Sequence, residues 1–155
     1  MSAINSWRKL KELSWSEVIL LIQGFLFLPL VSLGIKCFGF RRFYGAIANF
    51  TPRKDRVQEK DDIQQAKAIA KIVEIASRYG LYKPNCLQKS LLLWWFLQRR
   101  GLASELRIGV RKKETLLEAH AWVEYQGWIL NDRSDVDRQF AAFAGSILPV
   151  GVKIL

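Results

Sequence analysis

The most continuous hydrophobic pattern in the chain lies near its N-terminus. Residues 18–35 are apolar, with only Gln23 and Ser32 as polar side chains among them. Ser14 and Glu17, just before this run, have the Ser-x-x-Glu spacing of a capping box, which predicts that a helix begins here. The run of 18 residues is at the lower end of the length that spans a bilayer.

Three interpretations of residues 18–35 compete. The favoured one is a Pro-kinked helical hairpin packed on the rest of the protein, because Gly24 and Pro29 lie inside the run; an apolar surface that awaits a partner protein is a variant of it. The others are a helix that lies on a membrane and a transmembrane anchor. A transmembrane helix is usually oriented by an excess of positive charge on one side, but both flanks of this run are basic. The flanking residues are Arg8, Lys9, Lys11, Lys36, Arg41 and Arg42.

Three further helices are predicted from the helical spacing of apolar residues and from residues typical of helix ends. Residues 36–53 predict a short amphipathic helix and then a linker that ends in Thr-Pro. A second amphipathic helix is predicted over 61–79, with Gly80 as its C-terminal stop. After the turn at Pro84, Asn85 is a good N-cap for a helix over 86–100. The middle of that helix, LLLWWFL, is apolar almost all round and predicts a buried central helix.

The pattern then changes to strands. Residues 106–110 alternate between apolar and polar positions, and 117–125 and 128–131 follow after short turns. A helix followed by an antiparallel meander predicts an α+β fold. A short helix near 136–143 and a closing strand near 147–154 complete the prediction. We divide the chain into an N-terminal hydrophobic helical region, 1–53, and a second domain, 54–155.

Composition narrows the setting and the partners. The chain has 155 residues and two cysteines, which are too few for a disulfide framework. Its net charge of +10 favours acidic partners. We expect no nucleic-acid partner, because zinc-finger spacing, a helix-turn-helix pattern and an RNP-type aromatic strand are lacking. The first 17 residues predict no secretory signal. A reducing, cytoplasmic setting is therefore expected, with membrane association through residues 18–35 as an open alternative.

Three residues have the chemistry of a thiol hydrolase. Cys86 begins the predicted central helix, where free N–H groups and the helix dipole favour a thiolate. His120, the single histidine, lies on a predicted strand and is the candidate base. An antiparallel pair centred on the Gln126-Gly127 turn places residue 133 opposite His120, so Asp132 falls within one residue of it. Nucleophile, base and orienting carboxylate are the parts of a catalytic triad.

The sequence also predicts which groups surround the candidate triad. Strand alternation places Ala119, Ala121 and Val123 on one face and His120, Trp122 and Glu124 on the other, and we expect the cysteine-bearing helix to lie across the His120 face. The N–H of Cys86 or Leu87 would stabilise an oxyanion, with Asn85 or Gln88 as a second donor. Asp135 and Asp137 are fallbacks for Asp132. No cofactor and no metal are predicted, since zinc spacing and a phosphate-binding glycine loop are missing.

The segments CLQKSLLLWWFLQRRG, ELRIGVRK, EAHAWVEYQG and LND, in this order, resemble the transglutaminase-like superfamily. More narrowly, the chain resembles the lasso-peptide leader peptidases, the B proteins related to the microcin maturation protease, in their split form. The resemblance implies a papain-like cysteine peptidase core. By position it implies Cys86 as nucleophile, His120 as general base and acid, and Asp132 as the residue that orients the imidazole.

The same resemblance implies a biological role. The enzyme would remove the leader from a ribosomally made precursor peptide in the cytoplasm, with a separate leader-recognition protein and an asparagine-synthetase-like cyclase as partners. Two alternatives stay open. One is transglutaminase or amidase chemistry on the same triad, since an acyl-enzyme is common to hydrolysis and transfer. The other is a non-catalytic, membrane-associated adaptor, which residues 18–35 suggest.

Overall fold

The computed structural model of the chain describes residues 14–50, 61–113 and 116–142. Within them, helices precede an antiparallel sheet, which confirms the predicted α+β class. The helices are α1 (Trp15–Phe38), α2 (Phe40–Phe50), α3 (Asp62–Tyr79), α4 (Cys86–Arg99) and α5 (Val136–Gln139), and the strands are β1 (Glu105–Lys113), β2 (Leu116–Tyr125), β3 (Trp128–Ile129) and β4 (Ala141–Ala142).

Helix α1 begins at the predicted capping box and is one continuous helix. The Ser14 N–H donates to Glu17 Oε2 at 2.7 Å. Pro29 lies inside the helix, which ends at Phe38. Gly39 follows with a φ of +75°, where glycine carries no steric penalty. The predicted hairpin within 18–35 is therefore wrong, although the packing on the rest of the protein is confirmed. Phe27, before Pro29, packs on Trp95 of α4, and Ser32, after it, accepts from Gln88 of the same helix. This packing offsets the hydrogen bond that proline cannot make.

The other predicted helices are confirmed. Helix α2 follows Gly39 directly, and α3 ends just before Gly80. Helix α4 begins with a reciprocal cap: Asn85 Oδ1 accepts from the Gln88 N–H at 2.9 Å, and Gln88 Oε1 accepts from the Asn85 N–H at 3.0 Å. The cap satisfies donors that the first turn of a helix leaves free. The predicted linker falls in 51–60, outside the described residues.

Helix α4 forms the centre of the core, as its sequence predicts. It contacts α1 and α3 as well as strands β1 and β2. Its apolar side chains and those of α1, α3 and the inner face of the sheet belong to one buried cluster. The boundary that we predicted between 53 and 54 lies outside the described residues and stays a prediction. The fully buried leucines and the buried phenylalanine of α4 are Leu91, Leu92, Leu93, Phe96 and Leu97.

The sheet has the order β3-β2-β1-β4, and every pair is antiparallel. Strands β1 to β3 are the predicted meander. The predicted helix near 136–143 is shorter than expected, because Phe140 is extended and the next two residues pair with β1 as β4. The closing strand predicted near 147–154 lies outside the described residues.

The contact between α1 and α3 predicts a sensitive position. A Cβ on Gly24 would lie 2.8 Å from Ala76 Cβ, closer than real side chains approach. We expect Gly24→Leu to lower the free energy of unfolding by about 1–3 kcal/mol through overpacking, measured by urea denaturation.

Gly45 in α2 is the matched control, since a Cβ there meets nothing within 4 Å. Gly45→Ala should raise the stability by roughly 0.5–1 kcal/mol, because glycine inside a helix is unfavourable. Equal midpoints for the Gly24 variant and the unmodified protein would contradict the close packing of α1 on α3.

Candidate active site

The N-terminus of α4 presents a thiol and two unpaired backbone donors. Cys86 is the first residue of the helix and is half-buried. The cap occupies the N–H of Gln88. Within the described part of the chain, the N–H groups of Cys86 and Leu87 have no hydrogen-bond partner. Free donors at a helix N-terminus attract negative charge, so this end of α4 suits a thiolate and an oxyanion.

His120 and Asp132 are hydrogen-bonded. His120 Nε2 and Asp132 Oδ2 are 2.5 Å apart, and the side chains are 25% and 24% exposed. Strands β2 and β3 pair Tyr125 with Trp128 and Glu124 with Ile129. Extending this register places residue 133 opposite His120, as predicted. Strand pairing stops at Ile129, and the Asp132 side chain spans the remaining distance. Because Asp132 occupies Nε2, the Nδ1 atom is the ring nitrogen left for a second partner.

A hydrogen-bond network, buried at Ser90 and half-buried at Asn131, ties the strand of His120 to α4. Asn131 Oδ1 accepts from the Val123 N–H at 2.8 Å, and Asn131 Nδ2 donates to Ser90 Oγ at 2.8 Å. Ser90 Oγ in turn donates to the carbonyl of Ala121 at 2.9 Å. Ser90 lies one helical turn from Cys86, about 6 Å along the axis. The network therefore places the N-terminal turn of α4 beside the strand segment next to His120.

Sequence reasoning missed this network, although signals for it exist. Ser90 is the polar residue directly before the apolar LLLWWFL run of α4, and it is fully buried. Buried hydroxyl groups are almost always hydrogen-bonded, so a partner on another element could be expected. Asn131 directly precedes the predicted triad residue Asp132. Ser90 and Asn131 are positioning residues, since they touch the backbone and each other.

The prediction that α4 lies across the His120 face of β2 is wrong. The face that packs on α4 carries Ala121 and Val123, which belong to the large core cluster. The His120 ring instead stacks on Phe140, with ring centroids 5.0 Å apart, beside the buried Trp122 on the other face. Small side chains let the leucine-rich helix approach the sheet closely, whereas the indole needs the second cluster as its cover.

Cys86 and His120 consequently approach the site from different sides of the sheet. Among the described residues, no hydrogen bond joins the Cys86 thiol to the imidazole. Such catalytic hydrogen bonds are often long without substrate and tighten when it binds. The contacts thus bring His120 and Asp132 together directly, while Cys86 is placed through its helix.

Gly109 makes room for the aromatic stack around His120. It lies opposite His120 in the β1–β2 ladder. A Cβ at this position would be 2.9 Å from both Phe140 Cβ and the Trp122 ring. The missing side chain therefore allows Phe140 to lie against the imidazole, where it shields the His120–Asp132 pair on one side.

A cleft of about 390 Å³ lies beside His120 and Asp132. Cys86 is not among its lining residues. Charged groups on its rim are paired: Arg111 donates to Glu118 at 2.6 Å, and this hydrogen bond holds the pKa of the Glu118 carboxyl below its ordinary value. The lining residues are Arg111, Glu118, Ala119, His120, Asp132, Arg133, Val136, Gln139 and Phe140.

The fallback carboxylates do not contact His120. Asp135 directly precedes α5 without making a side-chain capping bond, and it accepts a hydrogen bond from Gln139 at 2.8 Å. That bond, followed by the charge of Arg133, holds the pKa of Asp135 below its ordinary value. Asp137 is exposed in the first turn of α5. Of the three aspartates considered, Asp132 is the one that is hydrogen-bonded to the imidazole.

One oxyanion candidate is excluded by its contacts. Gln88 is 5% exposed, and its amide is committed on both sides. Gln88 Oε1 accepts from Tyr82 as well as from the cap, and Gln88 Nε2 donates to Ser32 Oγ at 3.1 Å. The prediction of Gln88 as a donor to substrate is wrong for this reason. The Asn85 side chain is exposed and stays a candidate.

The chain matches a protein-family model. The model of the transglutaminase-like superfamily matches residues 30–144, which is most of the chain and includes Cys86, His120 and Asp132. The chain belongs to the transglutaminase-like superfamily. Its members are typically cysteine hydrolases or acyltransferases. A search of curated proteins and a search of solved structures each found no match.

The match also bears on the N-terminal helices. It begins at residue 30 inside α1 and continues through α2, so the transglutaminase-like region takes in the C-terminal part of the apolar helix. This agrees with the burial of Val31 in the same core as α4.

The network around Ser90 predicts a stability effect. Ser90→Ala removes a fully buried hydroxyl group and leaves the half-buried Asn131 amide without its acceptor. We expect a loss of about 1–3 kcal/mol in the free energy of unfolding, measured by urea denaturation.

Ser77→Ala is the matched control, because Ser77 donates to the Glu74 carbonyl within its own helix. Its effect should stay within about 0.5 kcal/mol. Similar midpoints for the two variants would show that the link between α4 and β2 is not stabilising.

Proposed function

We propose that this protein is a cysteine peptidase in which Cys86 is the nucleophile, His120 the general base and acid, and Asp132 the orienting carboxylate. The observation that carries the proposal is the His120–Asp132 hydrogen bond of 2.5 Å on a strand that the Ser90 network ties to the N-terminal turn of α4. Superfamily membership supports the same chemistry.

The reaction would take two acyl-transfer steps. The Cys86 thiol gives its proton to His120 Nδ1, and the sulfur attacks the peptide carbonyl carbon, forming an S–C bond. The free N–H groups at the start of α4 stabilise the oxyanion. As the C–N bond breaks, the imidazolium protonates the leaving amine. Water then gives a proton to His120 and attacks the thioester, which releases the acid and restores the thiol.

Asp132 would act through the imidazole. Its carboxylate accepts from Nε2–H, which fixes the tautomer that leaves Nδ1 free as the base. The negative charge also stabilises the imidazolium that forms in each step. Phe140 excludes water from one side of this pair, which strengthens the electrostatic contribution.

The substrate that we propose is a lasso-type precursor peptide, from which the enzyme removes the leader in the cytoplasm. Support comes from the resemblance of the segments around the three site residues to the lasso-peptide leader peptidases. A separate leader-recognition protein would present the precursor, and an asparagine-synthetase-like cyclase would take the released core. Transfer to an amine in place of water is the alternative that the superfamily supports equally well.

The central prediction concerns Cys86. Co-expression of a lasso precursor with this protein and the recognition protein should release the leader, and Cys86→Ala should leave the precursor intact, as read by mass spectrometry. Cys37→Ala is the matched control, since Cys37 is the other cysteine and lies exposed at the end of α1.

The masses distinguish the outcomes. Fragments that together gain one water identify hydrolysis, and a product joined to an amine identifies transfer. Equal cleavage with Cys86→Ala would overturn the nucleophile. Intact precursor with the unmodified protein would favour the adaptor alternative. We also expect little cleavage when the recognition protein is omitted, and full-rate cleavage without it would contradict the split arrangement.

A second prediction separates the aspartates. Asp132→Asn keeps the shape but removes the charge that balances the imidazolium, so kcat should lose most of the roughly 10²–10⁴-fold contribution of general acid–base catalysis. Asp135→Asn should change kcat little, because Asp135 is bonded to Gln139. Single-turnover cleavage rates measure both, and equal losses would reject the assigned role of Asp132.

A further inference from the structure

One face of α1 is apolar and exposed along the whole helix. Its large side chains recur at intervals of three and four residues, so they lie on one side of the helix. We call this face the stripe; each member is 53% exposed or more. The stripe consists of Trp15, Ile19, Ile22, Leu26, Leu30 and Leu33.

The opposite face of α1 is held by the rest of the domain. Gly24 packs against Ala76 of α3, and Phe27 meets Trp95 of α4 edge to face, with centroids 4.9 Å apart. Ser32 Oγ is 2.6 Å from the Tyr82 hydroxyl. These contacts follow one another along the helix, so α1 cannot leave the domain without breaking its core.

Positive charge borders the stripe at both ends. Near its start, Arg99 and Arg100 line a shared cleft with Ile19. Past its end, Lys36, Arg41 and Arg42 are exposed. The sequence contains no Asp or Glu between residues 18 and 50. An apolar face with a cationic border complements a surface that is apolar inside and negatively charged outside.

One helix among the described residues, α1, is long and apolar enough to cross a membrane. Its packing argues against a spanning position. Helices α3 and α4 would be carried into the hydrocarbon with Lys71, Lys89 and Arg99, and charged side chains are costly at the centre of a bilayer. A second copy of the chain is also a poor partner for the stripe, because its own cationic border would lie against the cationic border of the first copy.

We propose that the stripe docks α1 flat on an anionic lipid surface, with the apolar side chains in the acyl boundary and the flanking cations at the headgroups. A helix of 24 residues is about 36 Å long, within the length range of helices that lie in the interface. The proposal is independent of the catalytic assignment, since none of the three site residues takes part.

Co-sedimentation with vesicles tests the docking. The full-length protein should bind vesicles of phosphatidylcholine with 30% phosphatidylglycerol and bind pure phosphatidylcholine about tenfold more weakly, and the difference should shrink at high salt. Leu26→Glu/Leu30→Glu should lower binding to the anionic vesicles by about tenfold or more, because two charges would enter the apolar boundary.

The matched control is Leu81→Glu/Leu117→Glu, which makes the same change at two exposed leucines outside the stripe. It should bind as the unmodified protein does, and thermal unfolding checks that both variants are folded. Equal loss in the two double variants, or no binding to anionic vesicles, would overturn the proposal.

Two further outcomes would also overturn it. Bound protein that resists extraction by alkaline carbonate would be integral, which contradicts a flat position; we expect release. A dimer in light scattering without lipid that Leu26→Glu/Leu30→Glu dissociates would assign the stripe to a second copy.

Discussion

The hydrogen bonds of Asn131 are the constraint on which the site depends. They join the backbone of β2 to Ser90 in the second turn of the central helix. A polar group in an apolar core is costly unless every donor and acceptor is paired, so a shift of α4 along the sheet would leave several groups unsatisfied. The register between helix and strand is thereby fixed, and with it the position of Cys86 relative to His120 and of Asp132 beside the imidazole.

A second closed network links the apolar helix to the start of α4. Gln88 donates to Ser32, Ser32 pairs with the Tyr82 hydroxyl, and Tyr82 donates back to Gln88. Gln88 also accepts from the capping residue Asn85. The helix that we propose to lie on lipid is therefore in hydrogen-bond contact with the cap behind the nucleophile. One face of α1 completes the core, and the other is the exposed stripe.

Much of this arrangement followed from local signals. The capping boxes at Ser14 and Asn85 predicted the starts of two helices, and counting back from the turn at Gln126 placed Asp132 within one residue of the position opposite His120. Each of these depends on residues close together in the chain. Two local inferences failed for tertiary reasons. Pro29 does not break α1, because packing on α3 and α4 holds the helix together. The Gln88 amide is occupied by Ser32, which is distant in the sequence, as well as by Tyr82 and Asn85.

The sequence by itself predicted the elements from α1 to β3 in their observed order, because periodicity, capping and turn spacing are set by neighbours along the chain. It also supplied the hypothesis of a thiol hydrolase that uses Cys86, His120 and Asp132. Only the tertiary structure decided which face of β2 meets α4. Alternation separates Ala121 from His120 but does not say which face is covered. Packing decides, since the helix fits closely on alanine and valine, while Trp122 and His120 require the aromatic cover that Phe140 supplies from the far edge of the sheet.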